Sequence, residues 1–265
     1  MKIIKCELPA ELTQIEIHTF ADEHIGDENC DMQRLKDRIK YVEETPNTYC
    51  IINGDIMDNA TKTSIGDTYT QTHNPMEQIE NAVELFSSIK HKTLAITHGN
   101  HEARTYRKEG IDMSAIMAAR LGLLDKYSPT SALIFLRFGK YSNNRKESNG
   151  SGNVRKVCYT IYMLHGSGGG RKEGAKAIRL ADMASIIDAD IYIHSHTHLG
   201  MIMRQGFHRI DTRNNAVAIV DKLFVNTASN LNYGGYGEAQ EFKPSSKETP
   251  VIYLNGQRKE MIAKL

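Results

Sequence analysis

The chain has 265 residues, 40% hydrophobic and 25% charged, an ordinary globular balance with enough length for one large core or two small ones. Its formal net charge of +1 with neutral histidines excludes a protein that holds nucleic acid through an overall basic surface, though not one with a local basic patch. Cys6, Cys30, Cys50 and Cys158 form no C-x-x-C pair, which excludes a zinc knuckle or redox motif and points to free thiols in a reducing compartment.

Residues 1–20 lack the apolar stretch of a signal peptide, because Glu7, Glu11 and Glu16 interrupt them. No apolar run reaches membrane-spanning length, so a cytoplasmic location is expected. Ile15, Ile17 and Thr19 alternate with Glu16 and His18, which predicts a strand that turns at Ala21-Asp22. Met32, Leu35, Ile39 and Val42 recur at helical spacing until Pro46 stops the pattern. Residues 49–52 predict a short buried strand running into Gly54-Asp55.

Asn74-Pro75-Met76-Glu77 is a helix start: Asn74 can cap, Pro75 suits the first helical position, and Glu77 can return a bond to the cap. Met76, Ile79, Val83, Phe86 and Ile89 would form its buried stripe, with Lys90 and Lys92 favouring the negative end of that helix. A strand over 93–96 leads to Gly99-Asn100-His101. A helix is predicted over 111–121, and strands over 132–138 and 154–164 with a Ser/Asn/Gly-rich loop at 139–153 between them. Ala177, Leu180, Ala184 and Ile187 predict another helix. Residues 190–193 form a strand delivering His196 and His198, and strands follow at 201–204, 216–225 and 251–254. Alternating strands and helices followed by strand-rich sequence predict an α/β core with a second sheet. With no linker, repeat or low-complexity segment, 1–265 reads as a single domain.

Five short segments stand in order along this framework: Asp22-Glu23-His24, Gly54-Asp55-Ile56-Met57-Asp58, Gly99-Asn100-His101-Glu102, His165-Gly166 and His196-Thr197-His198. Each puts Asp, Asn or His near the end of a strand-like run. Together they supply nitrogen and oxygen ligands for two metal ions, a recurring device for phosphate-ester hydrolysis when the ions sit about 3.5–4 Å apart. Asp22 and Asp55 would neutralise two of the four positive charges, and a bridging hydroxide a third, leaving a positive hole for a phosphate oxygen. A donor set without thiolate suits manganese first, with iron, zinc or nickel as alternatives. His101, next to Asn100, is placed to protonate a departing oxygen. Asp58 is the first choice of carboxylate to hold its ring, and Glu102 the second.

At these residues the chain resembles the calcineurin-like metallophosphoesterases, whose motifs are D-x-H, G-D-x-x-D, G-N-H-[DE], a lone His and G-H-x-H in that order. The resemblance spans residues 22–198. It implies a two-sheet β-sandwich flanked by helices in four αββα layers, with metals at the strand ends. It implies one ion on Asp22, His24, Asp55 and His198, and a second on Asp55, Asn100, His165 and His196, with Asp55 shared. A metal-bridging hydroxide would attack phosphorus in line, with His101 as acid and Asp58 as its partner. Ser195 stands where the family has glycine. Asn59 stands where its serine/threonine protein phosphatases have a phosphate-gripping arginine; Arg104 could supply a phosphate contact instead. Residues 229–237 resemble a loop of phage-type members.

The expected function is phosphodiester hydrolysis, on nucleic acid or nucleotide, with a phosphomonoesterase or protein phosphatase as the alternative and a non-catalytic scaffold as a third reading. His98 and His194 read as support or packing, since the ligand places are filled. The glycine-rich segment 166–170 reads as a turn rather than a phosphate loop. Arg137, Lys140, Arg145, Lys146, Arg155 and Lys156, with Tyr141 among them, form a basic stretch that could track a nucleic-acid backbone, although a solvated hairpin tip is the simpler account.

Overall fold

The computed structural model describes residues 1–62, 64, 68–141, 155–168 and 170–265. Two mixed sheets of six strands pack face to face. The first runs in the order β1 (Lys2–Glu7), β6 (Ser131–Phe138), β7 (Val157–Leu164), β8 (Ile191–His194), β10 (Ala216–Asn226), β9 (Met201–Asp211). The second runs β12 (Met261–Lys264), β11 (Val251–Asn255), β2 (Gln14–Phe20), β3 (Thr48–Asn53), β4 (Thr93–Thr97), β5 (Tyr127–Ser128). Strands β2, β3 and β4 are parallel neighbours, as are β7, β8 and β10.

Parallel strands buried on both faces need continuous apolar runs rather than alternation. Cys50-Ile51-Ile52 in β3 is one. Ile51 enters the layer between the sheets with Ile17, Ile134, Ile161 and Ile193. Cys50 and Ile52 face outward into a second cluster with Leu35, Ile39, Phe86 and Met117. That cluster covers the second sheet with α1 (Met32–Glu44), α2 (Pro75–Ser87) and α4 (Met113–Leu121). On the other side, α5 (Glu173–Asp182) covers the first sheet through Leu180 against Tyr192 and Phe224. The result is the four-layer αββα arrangement.

Local chemistry explains the helix boundaries. Asn74 accepts from the Met76 and Glu77 N–H groups, and Glu77 accepts from the Asn74 N–H in return. The buried stripe of α2 differs from the prediction at one end: Met76 is 45% exposed, and Gln78 takes the inward place because its amide is needed below. Lys92 also differs. Its ammonium donates to the Val42, Glu43 and Thr45 carbonyls at 2.6, 3.1 and 2.8 Å, so it serves the negative end of α1 rather than that of α2. The 139–153 loop lies largely outside the described residues. Among those described, no helix is long and apolar enough to cross a membrane.

All five motifs follow the carboxyl ends of strands: β2, β3, β4, β7 and β8. Three of these belong to one sheet and two to the other, so the site straddles the edge of the sandwich.

Candidate metal centre

The chain reaches this edge through backbone that most residues avoid. Asp22, His24, Asp55, His196 and His198 have φ of 53°, 52°, 51°, 66° and 53°, in the left-handed region that is sterically costly for residues with a Cβ. Five of the seven predicted ligands are therefore held in strained turns. Gly54 explains part of the tightness: at φ +79°, a Cβ would come within 2.6 Å of the Gly99 backbone and 2.8 Å of His165 Nδ1.

Glu102 is the clamp. Its side chain is fully buried, and its two oxygens accept from the N–H groups of Asp55 (3.0 Å), Ile56 (2.7 Å), Met57 (3.0 Å) and Gly99 (3.0 Å). One carboxylate thus fixes the loop after β3 to the loop after β4. The amide N–H of His101 donates to Asp55 Oδ1 at 2.8 Å, which leaves Oδ2 for the site.

The predicted ligands gather into two groups that could hold metal: Asp22, His24 and His198 form the first, and Asp55, His165 and His196 form the second. A third such group joins His24 to Asp58 and His101, and inside each group the ligand atoms lie within 4.8 Å of one another. Asn100 Oδ1 lies 3.1 Å from His165 Nε2, on the second group. Asp55 Oδ2 lies 3.0 Å and Asp22 Oδ1 3.9 Å from the same nitrogen, so the groups adjoin.

The buried polar atoms test whether metal fits. Asp22 Oδ1, His24 Nε2 and Asp55 Oδ2 are buried with no hydrogen-bond partner, a costly state unless something cationic is shared among them. The opposite ring nitrogens are fixed. His165 Nδ1 donates to the Asn53 carbonyl at 2.8 Å, and His24 Nδ1 donates to Asp58 Oδ1 at 3.1 Å. Each ring therefore turns an Nε2 lone pair into the site, the tautomer that ligation requires. His165 Nε2 then faces Asp55 Oδ2 acceptor to acceptor, and a proton or a metal ion belongs between them.

The electrostatics agree. Burial pushes the Asp22 carboxyl up, but facing His198 and His165 outweigh it and hold it down at about 2. Burial likewise opposes ionisation of Asp55, yet His165, His101 and His24 keep it well below the usual carboxylate range. Burial pushes His165 down, and Asp55 with Asp22 overcomes this to raise it to about 10. His196 is lowered to about 4 by burial and by His165. Carboxylate, imidazole and amide donors without thiolate are the set that borderline divalent metals accept.

His101 stands beside both groups. Its Nδ1 donates to the Asp58 carbonyl at 2.7 Å and lies 3.0 Å from Asp58 Oδ1. Burial works against its charge, but Asp55 and the Asp58 bond raise it above an ordinary histidine. Arg104 does not point into open space: Nη2 is 2.9 Å from His101 Nε2, and Nη1 donates to the Asp58 carbonyl at 3.1 Å.

The calcineurin-like phosphoesterase family model matches residues 17–200. The chain belongs to that family. Solved structures of related shape include a conserved uncharacterized protein, a predicted phosphoesterase, from Streptococcus pneumoniae TIGR4, at 12% identity, covering 96% of this chain and 99% of that one with a TM-score of 0.35. Vacuolar Protein Sorting 29 from Cryptosporidium parvum is 11% identical, with coverage of 95% and 97% and a TM-score of 0.44. A metallophosphoesterase from Sphaerobacter thermophilus is 11% identical, with coverage of 93% and 89% and a TM-score of 0.39. No curated sequence matches the chain.

Departures from the calcineurin-like pattern have local explanations. Ser195, in place of glycine, is fully buried and its hydroxyl accepts from the Asn53 amide at 2.7 Å. Asn59 is also buried; it donates to the His101 carbonyl at 2.7 Å and accepts from Thr105 at 2.9 Å. Both bonds brace the loop. His194 is tied to Asn226 Oδ1 at 2.9 Å, and His98 Nδ1 lies 3.8 Å from Asp112. Neither is in either metal group. In the basic stretch, Arg137 and Lys156 pair with Glu7 at 3.1 and 3.2 Å, and Arg155 lies over the Tyr141 ring. Arg145 and Lys146 lie outside the described residues, as does Gly169 of the glycine-rich segment.

Sequence reasoning missed a supporting layer. Asn53 joins four elements: it donates to the Leu164 carbonyl and Ser195, and accepts from Thr97 and His165. Gln71 donates to Asp58 Oδ2 at 2.8 Å, and Gln78 donates to Gln71 while accepting from the Asn59 N–H. The available signal was a lone amide closing an apolar strand, Ile51-Ile52-Asn53, or on a helix face otherwise apolar. The 229–237 segment also touches the site: Ser229 Oγ and the Asn230 N–H both donate to the Asp22 carbonyl.

Proposed function

We propose that this family member is a hydrolase that cleaves phosphodiesters with two divalent ions, manganese first and iron, zinc or nickel as alternatives. The observation that carries the reading is that Asp22 Oδ1, His24 Nε2 and Asp55 Oδ2 are buried with no hydrogen-bond partner, the two carboxylate oxygens facing the predicted ligand nitrogens His198 Nε2 at 3.3 Å and His165 Nε2 at 3.0 Å. In this reading Asp22, His24, Asp55 and His198 hold one ion. Asp55, Asn100, His165 and His196 hold the other. Such a pair supplies Lewis acidity and a nucleophile drawn from water.

The chain's own residues do the rest. His101 delivers a proton from Nε2 to the departing ester oxygen, and Asp58 fixes the ring through Nδ1. Arg104 donates to that Nε2 in the resting site, so the guanidinium first turns to a phosphoryl oxygen, Nε2 takes up a proton from solvent, which its raised proton affinity favours, and the leaving oxygen takes the guanidinium's place. Diesters are favoured because Asn59 is committed to the loop and brings no second cation for a monoester dianion. Strands β1, β11 and β12 lie outside residues 17–200 yet complete both sheets, which supports one domain over 1–265. Four free cysteines suit a cytoplasmic setting.

The test compares bis(p-nitrophenyl) phosphate with p-nitrophenyl phosphate after manganese loading, with metal content measured alongside. Faster turnover of the monoester would overturn the diester assignment in favour of a phosphatase. Two bound ions without turnover of either ester would favour a scaffold.

A further inference from the structure

Beside the second metal group the surface opens into a cleft of about 560 Å³, a size usual for small-molecule sites and far more than a phosphate group needs. Asn100 and His165 form its inner wall, whereas His101 does not line it. Its lining includes the apolar side chains of Tyr162, Leu164 and Met183, of which Tyr162 and Met183 are buried, with buried His194 among them. Its rim is different. Ile186 is 64% exposed there, and Arg107 and Arg179 bring two guanidinium groups against the single carboxylate of Asp182. Arg179 is held in place: Nη1 donates to the Ser167 carbonyl at 2.8 Å, and a Cβ on Gly168 would fall 2.4 Å from it. Among the described residues neither arginine forms an ion pair.

We propose that this cleft receives the retained ester group of a phosphodiester, and that this group is a nucleoside whose outer end is polar or anionic. The inference deepens the phosphodiesterase reading and rests on it for the side of phosphorus that His101 serves. A departing oxygen has to reach His101. A group seated in a cleft that His101 does not line therefore stays bonded to phosphorus. A monoester has no such group and would leave the cleft unused. Tyr162, Leu164 and Met183 suit the face of a base, and a cationic rim suits the sugar edge or a further phosphate.

The experiment varies only the retained group. Thymidine 5′-(p-nitrophenyl phosphate) and methyl p-nitrophenyl phosphate share a leaving group and differ in what remains on phosphorus. With manganese-loaded protein, kcat/KM for the thymidine ester should exceed that for the methyl ester by at least about tenfold, the scale of one good pocket contact. A 3′-phosphate on the thymidine ester should widen the gap. Ile186→Asp and Arg107→Glu, both at exposed positions, should bring the ratio close to one, chiefly through KM. A wild-type ratio near one, or variants that keep the wild-type ratio, would overturn the cleft assignment. Should neither ester be turned over with any of the four metals, the phosphodiesterase reading falls separately. The cleft is then judged by binding of thymidine 5′-monophosphate followed by NMR. Weaker binding by both variants supports it, and equal binding by all three proteins overturns it.

Discussion

The two metal groups are built from the same residue types but are held differently. In the second, His165 has a side chain only 3% exposed, and its ring is locked by Asn53, itself tied to three other elements. In the first, His198 has a side chain 36% exposed, and the neighbouring His24 leans on Asp58, which it shares with His101. Each group has two buried members and one half-buried histidine, His198 in the first and His196 in the second; the second borders the cleft, and the first is wired to the proposed acid. The difference teaches that ligand identity does not set how firmly a site is held; the layer behind the ligands does.

Asp55→Asn would erase the comparison, since that carboxylate is proposed to serve both ions. The expected outcome is loss of both ions and of turnover, whereas His198→Ala should leave one ion bound; metal analysis after gel filtration separates the two results, and two ions retained in Asp55→Asn would contradict its shared role. Next in size, His101→Ala should slow diester hydrolysis by about 10²–10⁴-fold with metal content unchanged. Full activity in that variant would remove the acid assignment.

A pH series sharpens the contrast from the other side. His165 is raised to about 10 in the metal-free chain, above the about 6.5 of an unfolded histidine. Its proton therefore stabilises the metal-free fold fully below about pH 6.5, and that contribution is lost as pH rises through about 10. Thermal melting in chelator should fall across this window. Manganese should displace the same proton, so uptake near neutral pH should acidify an unbuffered solution and tighten as pH rises. A flat melting profile and no proton release would contradict this. The smallest effect is expected for Gln71→Ala, which frees Asp58 Oδ2: about a 10- to 100-fold loss of activity, the scale of an outer supporting bond, with two ions still bound.

Much of this was legible in the sequence because the motifs close apolar runs. Strand ends are fixed by hydrophobicity, and polar residues placed there have one direction in which to face. The order of Asp22, Asp55, Asn100, His165 and His198 along the chain therefore carried over to order in space. The clamp was not legible. Glu102 read as a second choice of partner for His101, yet it bonds four backbone N–H groups, a role that leaves no residue pattern. Helix α3 (Glu102–Glu109) was missed for a related reason: EARTYRKE buries only Glu102 and Ala103, so it has no apolar stripe to detect. Lys92 was assigned to the wrong helix because sequence distance hides that the end of α1 lies beside it.

The straddling of the sandwich edge has a kinetic consequence. Asp22, Asp55 and Asn100 belong to one sheet, and His165, His196 and His198 to the other. Each sheet can assemble from its own pairings, but the ligands meet only once the two sheets have docked. Bound ions would then act as a lock closed after the folding barrier. They should slow unfolding many-fold while leaving the refolding rate nearly unchanged, so that manganese lowers only the unfolding arm of a denaturant series.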